Sequence, residues 1–254
     1  MKEIAYCLYG QPRNLIEGYK NISHFINQYP DFKFDFFYHT WFDESKNNEI
    51  FYDASPWRII PKSSLVINKN IISKINNLYK PKSFSFDKPI KFNLSIYFNS
   101  VCFSNTDNHK LSNINNVYSQ FFSRTKVRNT LFDYIKKFNK KYDFVITSRF
   151  DFLRTISINL YDINPLKFYC SDFLKPKLIF PDNFFILNTK TYLDLFNIIP
   201  NISKIINNHD LSSKLKSFNI TLEFSPEIFI FSLYIYLFNN IDNVIYSNNI
   251  PNFI

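Results

Sequence analysis

The segment Ser148-Arg149-Phe150-Asp151 stands where an apolar run, Tyr142-Asp143-Phe144-Val145-Ile146-Thr147-Ser148, gives way to charge. An arginine two residues from an aspartate suits a diphosphate group. The carboxylate would hold a divalent cation that bridges phosphate oxygens, and the guanidinium would add a fixed positive charge. Both would stabilise negative charge growing on a departing phosphate. Alternation along extended backbone puts Arg149 and Asp151 on the same side. The same spacing also makes a plain ion pair that closes a loop.

A second group, Tyr9-Gly10-Gln11-Pro12-Arg13, follows the first apolar run. A glycine at that corner lets a base or ribose lie against backbone, Gln11 could read a base edge, and Arg13 could reach phosphate. An ordinary tight turn uses the same residues. In a third group, His39-Thr40-Trp41, the indole could stack on a base or sugar; the bland alternative is a core aromatic beside a hydrogen-bonded histidine. Candidate carboxylates for accepting a proton are Asp182, in Phe180-Pro181-Asp182-Asn183-Phe184, and Glu227, one residue after Pro226. Glu227 is equally explained as an acid placed in a first helical turn. His209-Asp210 is a weaker pair of the same kind.

These residues need elements to hold them. Ile4 to Tyr9 reads as a buried strand, stopped at Gly10-Gln11-Pro12. Leu15, Tyr19, Ile22, Phe25, Ile26 and Tyr29 have helical spacing up to Pro30, and Phe34 to His39 is a second strand. Strand, helix, strand in about forty residues is a βαβ unit and predicts a parallel sheet. The pattern then gives a strand over Ile59 to Ile67, a short helix through Ile71, Ile75 and Tyr79, and a strand from Ser83 to Phe86. Residues 87–112 read as a loop or lid. A long helix is expected from near Asn113 to Phe138, then the strand ending at Ser148. Beyond it lie strand-like pieces at Phe168 to Cys170, Leu178 to Phe180 and Phe184 to Leu187. Helices are expected at Thr191 to Ile199, His209 to Leu215 and Pro226 to Phe238. The strands that matter all end in polar residues on one inferred sheet edge, where open α/β sheets bind ligands.

Composition narrows the chemistry. Gly10 and Gly18 are the only glycines, so neither a Walker A loop nor a GxGxxG fingerprint can exist. GxSxG and HExxH are also absent. Phosphate must therefore be held by side chains or a metal. With 46% hydrophobic residues the chain can fill a sizeable core, and its length suits one domain spanning 1–254. The net charge of +9 is scattered, its densest cluster being Lys136-Lys137 with Lys140-Lys141. Such scatter is the usual solvated face, although it also suits a phosphate-rich partner or peripheral contact with an anionic membrane. Cys7, Cys102 and Cys170 lie far apart, which argues for a reducing compartment and against a zinc site. The N-terminal residues carry no signal-peptide core, and Ile228 to Phe238 is far short of the ~20 residues a membrane span needs. A cytoplasmic protein is the expectation.

Taken in order, several segments resemble a group of GT-A-type glycosyltransferases encoded in bacterial surface-polysaccharide clusters and large DNA viruses. They are Cys7-Leu8-Tyr9-Gly10-Gln11-Pro12-Arg13, Phe34-Asp35-Phe36-Phe37-Tyr38-His39-Thr40-Trp41, Leu78-Tyr79-Lys80-Pro81-Lys82, Tyr118-Ser119-Gln120 and Tyr142 to Asp151. The resemblance covers roughly residues 4–153. It implies a GT-A-like (Rossmann-like) α/β fold, with a mixed, mainly parallel sheet flanked by helices. Residues 1–153 would form the nucleotide-binding half and 154–254 the acceptor side. It further implies a nucleotide-diphosphate sugar donor, a glycan or other hydroxyl acceptor, and often Mn2+ or Mg2+. Gly10, Gln11, Arg13, His39, Trp41 and Arg149 then fall at the nucleotide. Asp151 takes the last position of a DxD-like motif as catalytic residue and metal ligand, while Arg149 occupies the place of the first carboxylate. Asp182 corresponds to the acidic turn that faces the donor sugar. Two rival readings are a basic protein that binds nucleic acid through surface Lys and aromatics, and a GT-like scaffold without catalysis. The βαβ start and the charged strand ends favour the enzyme, with no nucleic-acid partner.

Overall fold

The computed structural model describes residues 1–46, 70–93, 108–172 and 179–250. The expected strand Ile59 to Ile67 lies outside these residues, as do Cys102, Leu178 and most of the expected 87–112 loop. The elements run β1 (Lys2–Gly10), α1 (Leu15–Ile26), β2 (Phe32–Trp41), α2 (Ile71–Tyr79), β3 (Ser83–Asp87) and α3 (Asn108–Phe138). They continue with β4 (Phe144–Arg149), β5 (Phe168–Ser171), β6 (Phe184–Leu187), α4 (Thr189–Leu195), α5 (Ile202–Ile206), α6 (His209–Ser217), α7 (Pro226–Phe238) and β7 (Val244–Ser247).

The strands form one sheet in the order β3-β2-β1-β4-β6-β5-β7. β1 pairs in parallel with β2 and β4, β2 with β3, and β5 with β7; β6 runs antiparallel to both of its neighbours. This is the mixed, mainly parallel, Rossmann-like sheet expected, and it draws strands from both sides of residue 153. The reversal of β6 has one consequence for chemistry. The carboxyl ends of β1, β2, β3 and β4 share an edge with the amino end of β6, so the chain entering β6 arrives beside the chain leaving β4.

Alternation along the central strands sends side chains to two cores. Ala5, Cys7 and Tyr9 join Val145, Phe185 and the helices α3 and α7 on one face. Ile4, Tyr6 and Leu8 join Phe144, Ile146 and the helices α1 and α2 on the other. A strand covered on both faces reads as a continuous apolar run, as β1 does. α7 is apolar all round because the core surrounds it: Phe229, Ile230, Phe231, Leu233, Tyr234 and Ile235 are all buried. Ser225 caps its first turn through Ile228 N–H, and Asn239 closes it in the left-handed conformation.

Several boundaries differ from the sequence reading. β2 continues through Trp41, and β3 takes in Asp87. The long helix begins at Asn108 and not near Asn113, because polar residues extend a formed helix at little cost and leave no apolar period to read. The expected helix Thr191 to Ile199 is broken at Phe196 into α4 and a following turn. Ile179 and Phe180 precede Pro181 outside any strand, and the short strand β7, set among asparagines, had no pattern strong enough to predict.

α1 crosses the turn after β4 at backbone distance. A Cβ on Gly18 would sit 1.8 Å from the Phe150 carbonyl oxygen. Asn21 adds a side-chain hydrogen bond to the Phe152 carbonyl at 3.3 Å. The substitution Gly18→Ala should therefore cost about 2–3 kcal/mol, the upper part of the overpacking range, because backbone must yield and not a rotamer. Urea unfolding of this variant checks it; a midpoint unchanged from wild type would contradict the packing.

Candidate functional site

The shared sheet edge brings four strand ends and two helix starts together. β1 ends at Gly10, whose φ of +93° is a conformation L side chains rarely adopt. The Gly10 carbonyl accepts from Thr40 at 2.9 Å, and its N–H donates to Ser123 on α3 at 2.9 Å. Gln11 is half-buried and Arg13 buried just before α1, where Asn14 takes a left-handed φ of 48°.

The sequence placed Arg149 and Asp151 together, and the structure joins them directly. Arg149 donates from Nε and Nη2 to the two Asp151 oxygens, both at 2.8 Å. Arg13 Nη2 lies 3.3 Å from Asp151 Oδ2. Asp151 is 2% exposed, while the Arg149 and Arg13 side chains retain 12% and 10%. Burial works to lower the Arg149 pKa, but the adjacent Asp151 charge and hydrogen bonds more than offset it and hold the guanidinium charged. The ion pair closing a turn is thus present, and Arg13 from a different element shares it.

This donor set does not suit a divalent cation at Asp151. Its two oxygens are turned to two guanidiniums, so an approaching ion would meet fixed positive charge before it met the carboxylate. Among the described residues, no group of three His, Cys, Asp or Glu is arranged to hold an ion.

Arg124 was visible in the sequence only as a charge interrupting the apolar row Phe121, Leu131, Ile135 of α3. It is 1% exposed. Its guanidinium lies over the Tyr9 ring at 4.2 Å and near the Phe185 and Phe196 rings at 5.5 and 5.4 Å. Its Nη2 donates to Tyr9 Oη at 2.5 Å and to the Asp182 carbonyl, and Tyr9 Oη donates to that carbonyl at 2.5 Å. Arg124 and Tyr9 therefore fix the backbone of the turn that leads into β6. The missed signal was an arginine inside a sheet-facing stripe.

Asp182 is half-buried at this turn, and Glu227 is half-buried in the first turn of α7. Burial pushes the Glu227 carboxyl up to about 7; the Asp182 charge adds to the rise, while Arg124 and Ser225 oppose it. The two candidate carboxylates are thus close enough to feel each other's charge. His209 and Asp210 are exposed at the start of α6.

His39 and Trp41 sit within β2 and are covered. His39 is 0% exposed, with Nδ1 2.7 Å from Ser123 Oγ and Nε2 3.1 Å from Asp87 Oδ2. Trp41 is 5% exposed, stacked on Phe122 at 5.2 Å and edge-on to His39. Both rings are packed against protein, as in the core reading of this group. The hydrogen bonds run in one sense, from Gly10 N–H to Ser123 and from Ser123 O–H to His39 Nδ1, with His39 Nε2–H to Asp87. They brace the Gly10 corner from behind.

No family model matches the sequence, and no curated protein matches it. The galactosyltransferase LgtC, crystallised with donor and acceptor sugar analogues, superposes with a TM-score of 0.42 at 13% identity, over 96% of this chain and 73% of that one. So loose a likeness leaves the geometry above to stand by itself. No helix among the described residues is long and apolar enough to cross a membrane.

Burial lowers the His39 pKa from its ordinary 6.5 to about 4, against the opposing pull of Asp87. A depressed folded value means the unfolded chain binds the proton first. Stability contributed by neutral His39 is therefore complete above pH 6.5 and is lost as pH falls toward 4. Denaturation midpoints across that window should decline with acid, and His39→Gln should flatten the decline. Equal slopes in the two proteins would rule His39 out as the cause.

Proposed function

We propose that this chain is a nucleotide-sugar-dependent glycosyltransferase of GT-A type. It moves a sugar from a nucleotide-diphosphate donor to a glycan or other hydroxyl acceptor, in surface-polysaccharide or glycoprotein glycan synthesis. The strand order, with one reversed strand beside β4, suits the architecture the sequence resembles. The observation that carries the reading is the Arg13–Asp151–Arg149 cluster at one sheet edge, with Asp182 close enough for its charge to act on both Arg149 and the Glu227 carboxyl.

In this reading Gly10 and Gln11 lie beside the nucleoside, where the open glycine corner leaves room for it. Arg13 and Arg149 face the diphosphate and stabilise charge on it as it leaves. The acceptor oxygen forms a bond to the anomeric carbon while the bond from that carbon to the diphosphate oxygen breaks. The acceptor proton passes to Glu227, whose raised pKa makes it a better base than an ordinary carboxylate. Asp182, beside it, faces the donor sugar and helps to raise that pKa. A base so placed suits a single displacement with inversion. His39 and Trp41 serve the corner from within the core.

A panel of nucleotide sugars offered to the purified protein, with released nucleoside diphosphate as readout, tests the assignment. At least one donor should be turned over, slowly with water and faster with a hydroxyl acceptor. Thermal stabilisation by nucleoside diphosphates without turnover would mark an inert scaffold. Salt-sensitive binding to single strands without either response would mark a nucleic-acid protein.

The substitution Glu227→Gln should lower kcat about 10²- to 10⁴-fold, the usual worth of a general base, while nucleoside diphosphates still raise Tm as in wild type. The base works deprotonated, so the wild-type rate should climb with pH through about 7 and level off above it. A flat profile from pH 5 to 8 would remove Glu227 from that role.

A further inference from the structure

The cluster at the sheet edge closes two guanidiniums over one carboxylate and covers it. Arg13 and Arg149 share Asp151 between them. Asp151 is almost wholly covered at 2%, whereas both arginine side chains keep about five times that exposure. Within the cluster, therefore, the guanidiniums and not the carboxylate are what remains accessible. The position is also rigid. Arg149 is pinned bidentately, Arg13 stands immediately before α1, and the turn carrying Asp151 is clamped against Gly18 with no room for a Cβ. A planar guanidinium held by one carboxylate is pre-aligned for phosphate oxygens, since little rotamer freedom is left to lose on binding.

Resting on the glycosyltransferase reading, we infer that the site neutralises the donor diphosphate with Arg13 and Arg149 in place of a divalent cation, and that Asp151 is the positioning residue of those two arginines and not a metal ligand. The inference departs from the DxD-like expectation at a definite atom pair. Where a cation would need both Asp151 oxygens, each faces a guanidinium nitrogen. Nor do the other nearby carboxylates supply a replacement set: Asp182 and Glu227 form no three-ligand group with Asp151 among the described residues. Burial raises the Glu227 carboxyl pKa, which disfavours the ionised form an ion ligand needs.

Calorimetric titration tests this with uridine, guanosine, adenosine, cytidine and thymidine diphosphates as probes. Each is run with wild-type protein in excess EDTA and again in Mn2+ or Mg2+. The best-bound nucleotide should show a Kd that differs less than about threefold between the two conditions, and Mn2+ alone should give no heat. Arg149→Lys and Arg13→Gln should each weaken it about tenfold or more, because a bidentate fork is lost in one and a charge in the other. Asp151→Asn should weaken binding by a similar factor in EDTA and in Mn2+ alike. A purely structural Asp151 would lower Tm and leave Kd untouched at low temperature, and a metal-binding Asp151 would lose only the Mn2+-dependent increment; either result overturns the positioning role. Should Asp151→Asn fail to fold, the wild-type comparison in EDTA and Mn2+ still decides. Binding that appears only with the cation defeats the inference and leaves the glycosyltransferase standing. Failure of every nucleotide under both conditions defeats the two together.

Discussion

A covered carboxylate gripped by two guanidiniums joins two parts of the chain that the sequence keeps apart. Arg13 belongs to the corner between β1 and α1, Arg149 ends β4, and Asp151 lies in the turn beyond it. Burying such a cluster is favourable only when every member stays partnered, since removing one partner of a buried pair typically costs about 3–5 kcal/mol. That demand fixes the distance between corner and turn. The missing Cβ at Gly18 allows the approach, and the ion cluster then holds the register.

Around this point the core is built to limit movement. Behind Gly10 stands the hydrogen-bonded line through Ser123 and His39 to Asp87. On the far side Arg124 and Tyr9 hold the carbonyl of Asp182. The long helix α3 supplies both Ser123 and Arg124, one residue apart, and so braces the ends of β1 and the start of β6 at once. A fully buried arginine is costly to desolvate, and stacking on three aromatic rings offsets part of that cost. The edge is therefore stiff on the core side, and its charged groups are presented from fixed supports.

Much of this was legible before any coordinates. The run Ile4 to Tyr9 and the helical spacing after it announced a βαβ unit, and polar residues at three strand ends announced a shared edge. The glycine count ruled out backbone phosphate loops and left side chains or a metal. What stayed hidden depends on partners distant in sequence. Nothing local to His39 says that Ser123 and Asp87 engage both of its ring nitrogens, and so the sequence alone could not choose between the ligand and core readings. Nothing around Gly18 shows its packing role, because the backbone it meets lies 132 residues on. Arg124 lay within the expected long helix, but nothing nearby in sequence marks it as the buried partner of Tyr9 and Asp182. The reversal of β6 could not be seen either, because four apolar residues, Phe184 to Leu187, pair equally well in either direction.

The span between Gly18 and Phe150 bears on how the chain comes off the ribosome. β1, α1 and β2 are neighbours in sequence and can associate early. The β4 strand that flanks β1 on its other side, together with the turn that fills the notch over Gly18, is translated more than a hundred residues later. Synthesis at about 5–20 residues per second leaves one edge of β1 open for several seconds or longer. During that interval a bare, strongly apolar β1 is the segment most in need of a chaperone's cover.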